Sequence, residues 1–105
     1  MDTLLFLRPA RAVPLNRTLV GYVGSGDLEV MIDRTDGHQA EIHIRTSTQG
    51  SEARWQQLIE RMEVDHPLPA MRMDIHDFAA TPGVIRLRIE QALELALDNR
   101  GNTHD

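Results

Sequence analysis

Between Leu28 and Asp33 apolar and polar residues alternate, with Leu28, Val30 and Ile32 on one side and Glu29, Met31 and Asp33 on the other. That is the period of a half-buried strand. It returns in "AEIHIRT", where Ala40, Ile42 and Ile44 alternate with Glu41, His43 and Arg45. It returns again in "AMRMDIHDF", with Met71, Met73 and Ile75 against Arg72, Asp74 and His76. Residues 17–23, rich in Leu, Val and Tyr, add a further run of strand composition. Two segments change period. Trp55, Leu58, Ile59 and Met62 recur at steps of three and four, as do Ile85, Ile89, Ala92, Leu93 and Ala96. Each set lies along one face of a helix.

The punctuation agrees with these elements. Ser51 stands at the N-cap position of the first helix with Glu52 in its first turn, and Pro67 and Pro69 stop it. Thr81-Pro82 opens the second helix as a cap followed by proline at the first helical position. Gly101, after Asn99-Arg100, offers a C-terminal stop. Asp36-Gly37 is a two-residue hairpin signal between the strands at 28–33 and 40–46. "RPARAVPLN" at 8–16 carries two prolines and no period, so 1–16 reads as an extended lead-in with room for one further short strand. The expected order is β-β-β-α-β-α. The expected fold is an α+β two-layer sandwich, an antiparallel or mixed sheet with both amphipathic helices on one face. It forms a single domain over residues 1–105, with 99–105 as a flexible tail.

Composition narrows the partners. The chain has 105 residues, enough for a core that needs no disulfide or structural metal. Its 16 Asp and Glu outnumber 11 basic residues, all of them arginine, for a formal net charge of −5. Nucleic acid, which requires a basic stripe, is therefore not expected as a partner. The only early apolar run, "LLFL", is too short for a secretory core or a membrane span. A soluble, cytoplasmic protein without a membrane partner is the expectation. The chain has no cysteine, which fits a reducing compartment. It also means that any thioester chemistry needs a thiol supplied by a cofactor.

Among candidate reactive groups, His38, His43, His66, His76 and His104 have no metal-ligand spacing, and His43 and His76 fall on polar strand faces. No metal site is expected. There is no paired-carboxylate motif, no P-loop and no G-x-S-x-G. What stands out is Gly24-Ser25-Gly26-Asp27 between two strand-like runs. Local physics reads it first as a turn, because Gly supplies positive φ while Ser and Asp bond their own backbone. A second reading makes Ser25 an attachment point: flanking glycines keep the backbone slim enough to enter a modifying enzyme, which brings its own base.

"VGYVGSGDLEVMI", "ARWQQLIERM" and "DIHDFAATPGVIRLRIEQALE", in that order over residues 17–97, resemble the acyl carrier (delta) subunit of malonate decarboxylase. They are more distantly similar to the acyl carrier (gamma) subunit of citrate lyase. The resemblance implies that Ser25 carries 2′-(5″-triphosphoribosyl)-3′-dephospho-coenzyme A through a phosphodiester, which provides the missing thiol. Gly24, Gly26 and Asp27 then serve the turn or position the serine for modification, and Arg86 and Arg88 face a partner or the anionic group; an Arg86–Glu90 pair, four residues apart on the outer helix face, is the plainer alternative. The implied partners are an alpha subunit that exchanges acetyl for malonyl, a beta/gamma decarboxylase pair, a cofactor-transferring enzyme and a malonyl transferase. The carrier itself is non-catalytic. Three other readings compete: an adaptor domain with an unmodified hairpin, a citrate lyase-type carrier, and a small serine hydrolase.

Overall fold

The computed structural model describes residues 1–98. The chain runs β1 (Asp2–Pro9), β2 (Thr18–Gly21), β3 (Leu28–Asp33), β4 (Gln39–Thr46), α1 (Glu52–Asp65), β5 (Met71–Asp77) and α2 (Pro82–Leu97). The strands form a five-stranded sheet in the order β1-β4-β5-β3-β2. β5 is parallel to β4, and the other neighbours are antiparallel, so the sheet is mixed.

Strand alternation places all the inward side chains on one face. Ile42 and Ile44, Met73 and Ile75, and Val30 and Ile32 line up in register across β4, β5 and β3 and are almost wholly excluded from solvent. α1 buries Trp55, Ile59 and Met62, and α2 buries Ile85, Ile89, Ala92, Leu93 and Ala96, in the same core cluster. Both helices therefore cover one face, as the periodicity requires. The opposite face presents Leu5, Leu19 and Met31 among Glu41, Arg45, Arg72 and Asp74. Along it the His43 Nε2 lies 3.6 Å from a Glu41 carboxylate oxygen.

Three local expectations change. Asp36-Gly37 does not close a hairpin between paired strands: β3 and β4 are separated by β5. A turn signal acts only on its own residues. β5 contributes a fully buried row at Met71, Met73 and Ile75 and takes the central place by pairing on both edges. Within the lead-in, residues 2–9 form an eight-residue strand along β4, and Phe6 joins the core. Ser51 occupies the N-cap of α1 but its hydroxyl does not cap; it donates to the Thr48 carbonyl at 3.2 Å. Thr81 does cap α2, accepting from the Val84 N–H. The Gly101 stop and the tail at 99–105 lie outside the described residues. No helix among the described residues is long and apolar enough to cross a membrane.

One buried polar group fixes the end of the sheet that matters below. Asp77, closing β5, is 3% exposed. Its carboxylate accepts from the Thr46 hydroxyl at 2.8 Å and from the Ala80 N–H at 3.0 Å. Replacing it by alanine leaves the buried Thr46 hydroxyl and the partly buried Ala80 N–H without their acceptor, and a buried loss of this kind costs about 1–3 kcal/mol. Asp77→Ala is expected to lose about 2 kcal/mol, a Tm drop of roughly 8–16 °C in thermal unfolding, while Asp77→Asn retains an acceptor and most of the stability.

Candidate functional site: an exposed serine on a fastened turn

β2 and β3 pair with Gly21 opposite Glu29, so residues 22–27 form the connecting loop. Only its far half is a tight turn. The Asp27 N–H donates to the Gly24 carbonyl at 3.1 Å, which makes Ser25 and Gly26 the two central residues. Gly26 has φ +79°, the left-handed value that a type II turn requires at its third position. Gly24 has an ordinary φ, and a Cβ there meets only the edge of the Tyr22 ring, at 3.1 Å. Of the two flanking glycines, only Gly26 is demanded by the backbone; at Gly24 the neighbour is an exposed side chain that can move.

The turn is bound to the sheet from below. The Gly26 N–H donates to the Phe78 carbonyl at 2.7 Å, and the Phe78 N–H donates to the Asp27 carbonyl at 3.0 Å. These two bonds continue the β3–β5 ladder past Leu28 and Asp77. The Phe78 ring meets His76 edge to face, with centroids 6.3 Å apart.

Asp27 adds a side-chain lock. Its Oδ1 accepts from the Leu28 N–H at 2.7 Å. From α2, Arg88 reaches across to give a two-pronged ion pair, Nε to Oδ1 at 3.1 Å and Nη2 to Oδ2 at 2.8 Å. The Asp27 side chain is 13% exposed and that of Arg88 27%. The Arg88 bonds first, and the Leu28 N–H second, hold the Asp27 carboxyl below the ordinary carboxylate range. The reciprocal pairing with Asp27 raises Arg88. A carboxylate whose folded pKa is depressed stabilises at every pH above its unfolded value of about 3.9, and that contribution fades only as pH falls through the lower folded value. The lock is therefore intact at neutral pH. In Arg88→Met the Asp27 titration followed by carboxyl NMR is expected to move up toward the unfolded value; an unmoved midpoint contradicts the pairing.

Ser25 itself is exposed, and its hydroxyl has no hydrogen-bond partner among the described residues. Beside it Tyr22 and Val23 are exposed as well. Of the candidates named from sequence, Gly24, Ser25, Gly26 and Asp27 form this site, and Arg88 joins it. Arg86 does not: it is paired with Asp65 on α1, with Glu90 at 3.7 Å. The Arg88–Asp27 contact spans 61 residues, so no local pattern announces it. Among the described residues no three His, Asp or Glu side chains gather as metal ligands.

Chemically, the site offers a free hydroxyl on a slender, rigid support. Among the described residues no base touches the hydroxyl, and the nearest acidic residue in sequence, Asp27, is engaged by Arg88 and the Leu28 N–H. The arrangement does not activate its own serine. It leaves the serine hydroxyl open to solvent and to whatever approaches the turn from outside.

The chain matches other proteins closely. Residues 16–96 fit the family model described as Malonate decarboxylase delta subunit (MdcD). The chain is 51% identical over 94 residues to the malonate decarboxylase acyl carrier protein of Pseudomonas fluorescens (strain SBW25), covering 90% of this chain and 95% of that one. To the malonate decarboxylase acyl carrier protein of Pseudomonas aeruginosa (strain UCBPP-PA14) it is 52% identical over 96 residues, covering 91% and 97%. In three dimensions it superposes with a TM-score of 0.85 and 50% identity on a chain of a Pseudomonas malonate decarboxylase hetero-tetramer crystallised with malonate, over 90% of this chain and 97% of that one. With the sheet order, the fastened Ser25 turn and these likenesses together, the chain belongs to the malonate decarboxylase delta subunit family.

Proposed function

We propose that this chain is the acyl carrier subunit of a malonate decarboxylase and that Ser25 Oγ is the atom to which its prosthetic group is joined by a phosphodiester. The observation that carries the reading is the Ser25 hydroxyl, solvent-exposed and unbonded on a turn whose backbone anchors all run inward to Phe78. The group is 2′-(5″-triphosphoribosyl)-3′-dephospho-coenzyme A, which brings a thiol that holds acyl units as thioesters in a chain with no cysteine of its own.

The chain's own residues do three things. Ser25 supplies the attachment oxygen: its Oγ would bond to the α-phosphorus of the triphosphoribosyl group as pyrophosphate leaves, and its proton would go to a base of the cofactor-transferring enzyme. Gly26 and Gly24 keep the approach to that oxygen free of side chains. Asp27, clamped by Arg88 and the Leu28 N–H, fixes the base of the turn, so that only the arm beyond Ser25 moves. A tether of this kind raises the local concentration of its cargo at each partner without any bond-breaking by the carrier. The carrier is non-catalytic. Its partners are the alpha transferase subunit, the beta/gamma decarboxylase pair, the cofactor-transferring enzyme and a malonyl transferase, and its place is the cytoplasm. The relatives' names favour malonate over a citrate lyase-type role, and the lack of a base at Ser25 among the described residues disfavours a serine hydrolase.

Intact mass after co-expression with the cofactor-building and cofactor-transferring enzymes tests the reading. One adduct per chain is expected. An unmodified mass, from a preparation in which the same enzymes load another carrier, overturns it in favour of the adaptor domain.

A further inference from the structure

At the end of the sheet that holds the Ser25 turn, α1 and α2 part to leave a groove of about 420 Å³. Its apolar walls are Trp55 and Leu58 from α1 and Pro82 and Ile85 from α2. Arg54 and Arg61 line it as well. They lie seven residues apart with Leu58 between them, on one stripe of α1. Both are exposed and neither has an ion-pair partner among the described residues. Arg8, Arg17, Arg72, Arg86 and Arg88 are paired with carboxylates; Arg11, Arg34 and Arg45 are not, among the described residues, but they stand apart from one another in the chain, whereas Arg54 and Arg61 bring two uncommitted guanidiniums to one apolar groove. The first turn of α2, which supplies Pro82 and Gly83 to the same groove, has no acidic residue to offset its positive end. Asp77 lies at the groove too, but both its oxygens are occupied by Thr46 and Ala80.

Ser25 is near. Leu28 is paired with Asp77, and three residues of chain span at most about 11 Å, with strands about 5 Å apart. The Ser25 Cα therefore lies within about 16 Å of the Asp77 Cα, at the groove's edge.

We propose that this groove is a resting dock for the far end of the group on Ser25, and that it selects a short acyl chain ending in a carboxylate. The aliphatic tether lies along Trp55, Leu58 and Ile85, and the terminal carboxylate meets Arg54 and Arg61. A neutral two-carbon acyl end lacks the second contact and is released more readily. Malonyl is thereby shielded from water between partners, and acetyl is offered to them. The inference rests on attachment at Ser25.

The absence of cysteine makes a clean test, because thiol reagents label only the arm. Holo-protein is alkylated with iodoacetate, giving a charged end, or with iodoacetamide, giving a neutral end of the same size, and loading is confirmed by intact mass. Trp55, the sole tryptophan, reports on the groove. The charged form is expected to shift Trp55 emission relative to the neutral form, with a difference that shrinks at high salt and vanishes in Arg54→Gln/Arg61→Gln. Full loading with identical spectra for the two forms overturns the dock while leaving the carrier reading intact. A shift that persists in the double variant overturns the arginine contact and the selectivity with it. If the double variant instead weakens assembly with the decarboxylase subunits and leaves the spectra unmoved, the groove is a partner's seat and the proposal fails. No adduct at all removes the carrier reading and this inference together.

Discussion

Ser25→Ala is expected to abolish covalent loading and to reduce malonate decarboxylation by the reconstituted complex to background, while folding is unaffected. The two halves of this result have separate physical grounds. Removing the hydroxyl costs the fold almost nothing: it is exposed, makes no bond among the described residues, and sits at a turn position that accepts alanine. Stability is expected to stay within about 0.5 kcal/mol of the parent. Loading, in contrast, has no equivalent alternative atom. Ser51 is 2% exposed and its hydroxyl is bonded to the Thr48 carbonyl. Ser47, the only other serine, is exposed, but it lies directly after a strand without a glycine on either side. Intact mass and activity of the complex check both halves. An adduct that persists in Ser25→Ala, mapped by peptide mass to Ser47, keeps the carrier role and rejects the site. Activity that persists without an adduct rejects the role.

What the pattern of residues could reveal was set by range. Alternation in 28–33, 40–46 and 70–78 and the stripes of both helices are local, and each element appears within a residue or two of where its period places it. Strand neighbours are not local. The Asp36-Gly37 signal is genuine as a turn, yet the identity of the strand beside β3 was decided by burial of β5, some 40 residues later in the chain. β1 was obscured because its core-facing row is mixed: Asp2, Leu4, Phe6 and Arg8 hold only one buried residue, as befits an edge strand.

The site shows the same division. Gly-Ser-Gly-Asp is a contiguous tetrad, so the turn and its serine were visible at once. What holds the turn is not contiguous. Phe78, which anchors its backbone, and Arg88, which clamps Asp27, come from the end of the neighbouring strand β5, some 50 residues on, and from α2. Arg88 lies in "RLRIEQAL", where a neighbouring arginine, Arg86, turns to Asp65 instead. One helical step of two residues carries the two guanidiniums to different faces, a distinction that spacing suggests and only the packing of α2 assigns. Gly21 carries no local signal, since it lies inside the strand-like run at 17–23.

Yet Gly21 governs the hairpin. It has φ +78°, and a Cβ built there falls 2.0 Å from the Leu28 carbonyl oxygen. The obstacle is backbone, so no side-chain rotation relieves it. Gly21→Ala therefore combines left-handed strain, about 1–3 kcal/mol, with an overlap that must open the β2–β3 ladder beside Glu29. A loss of about 3 kcal/mol or more is expected, a Tm fall of roughly 12–24 °C, larger than that of Asp77→Ala. Hydrogen exchange should localise it to β2 and the start of β3, and loading of Ser25 should slow because the turn loses one of its two strands. Gly24→Ala is the control. It meets only the ring of Tyr22, which is 65% exposed and free to swing aside, so it is expected to stay within about 0.5 kcal/mol. If the two alanines prove equally mild, the turn does not depend on the close approach of Gly21 to Leu28. If both are equally severe, slenderness at the serine matters more than the hairpin behind it. The geometry predicts that they differ widely, because in one case the neighbour is a carbonyl locked in a ladder and in the other an aromatic ring at the surface.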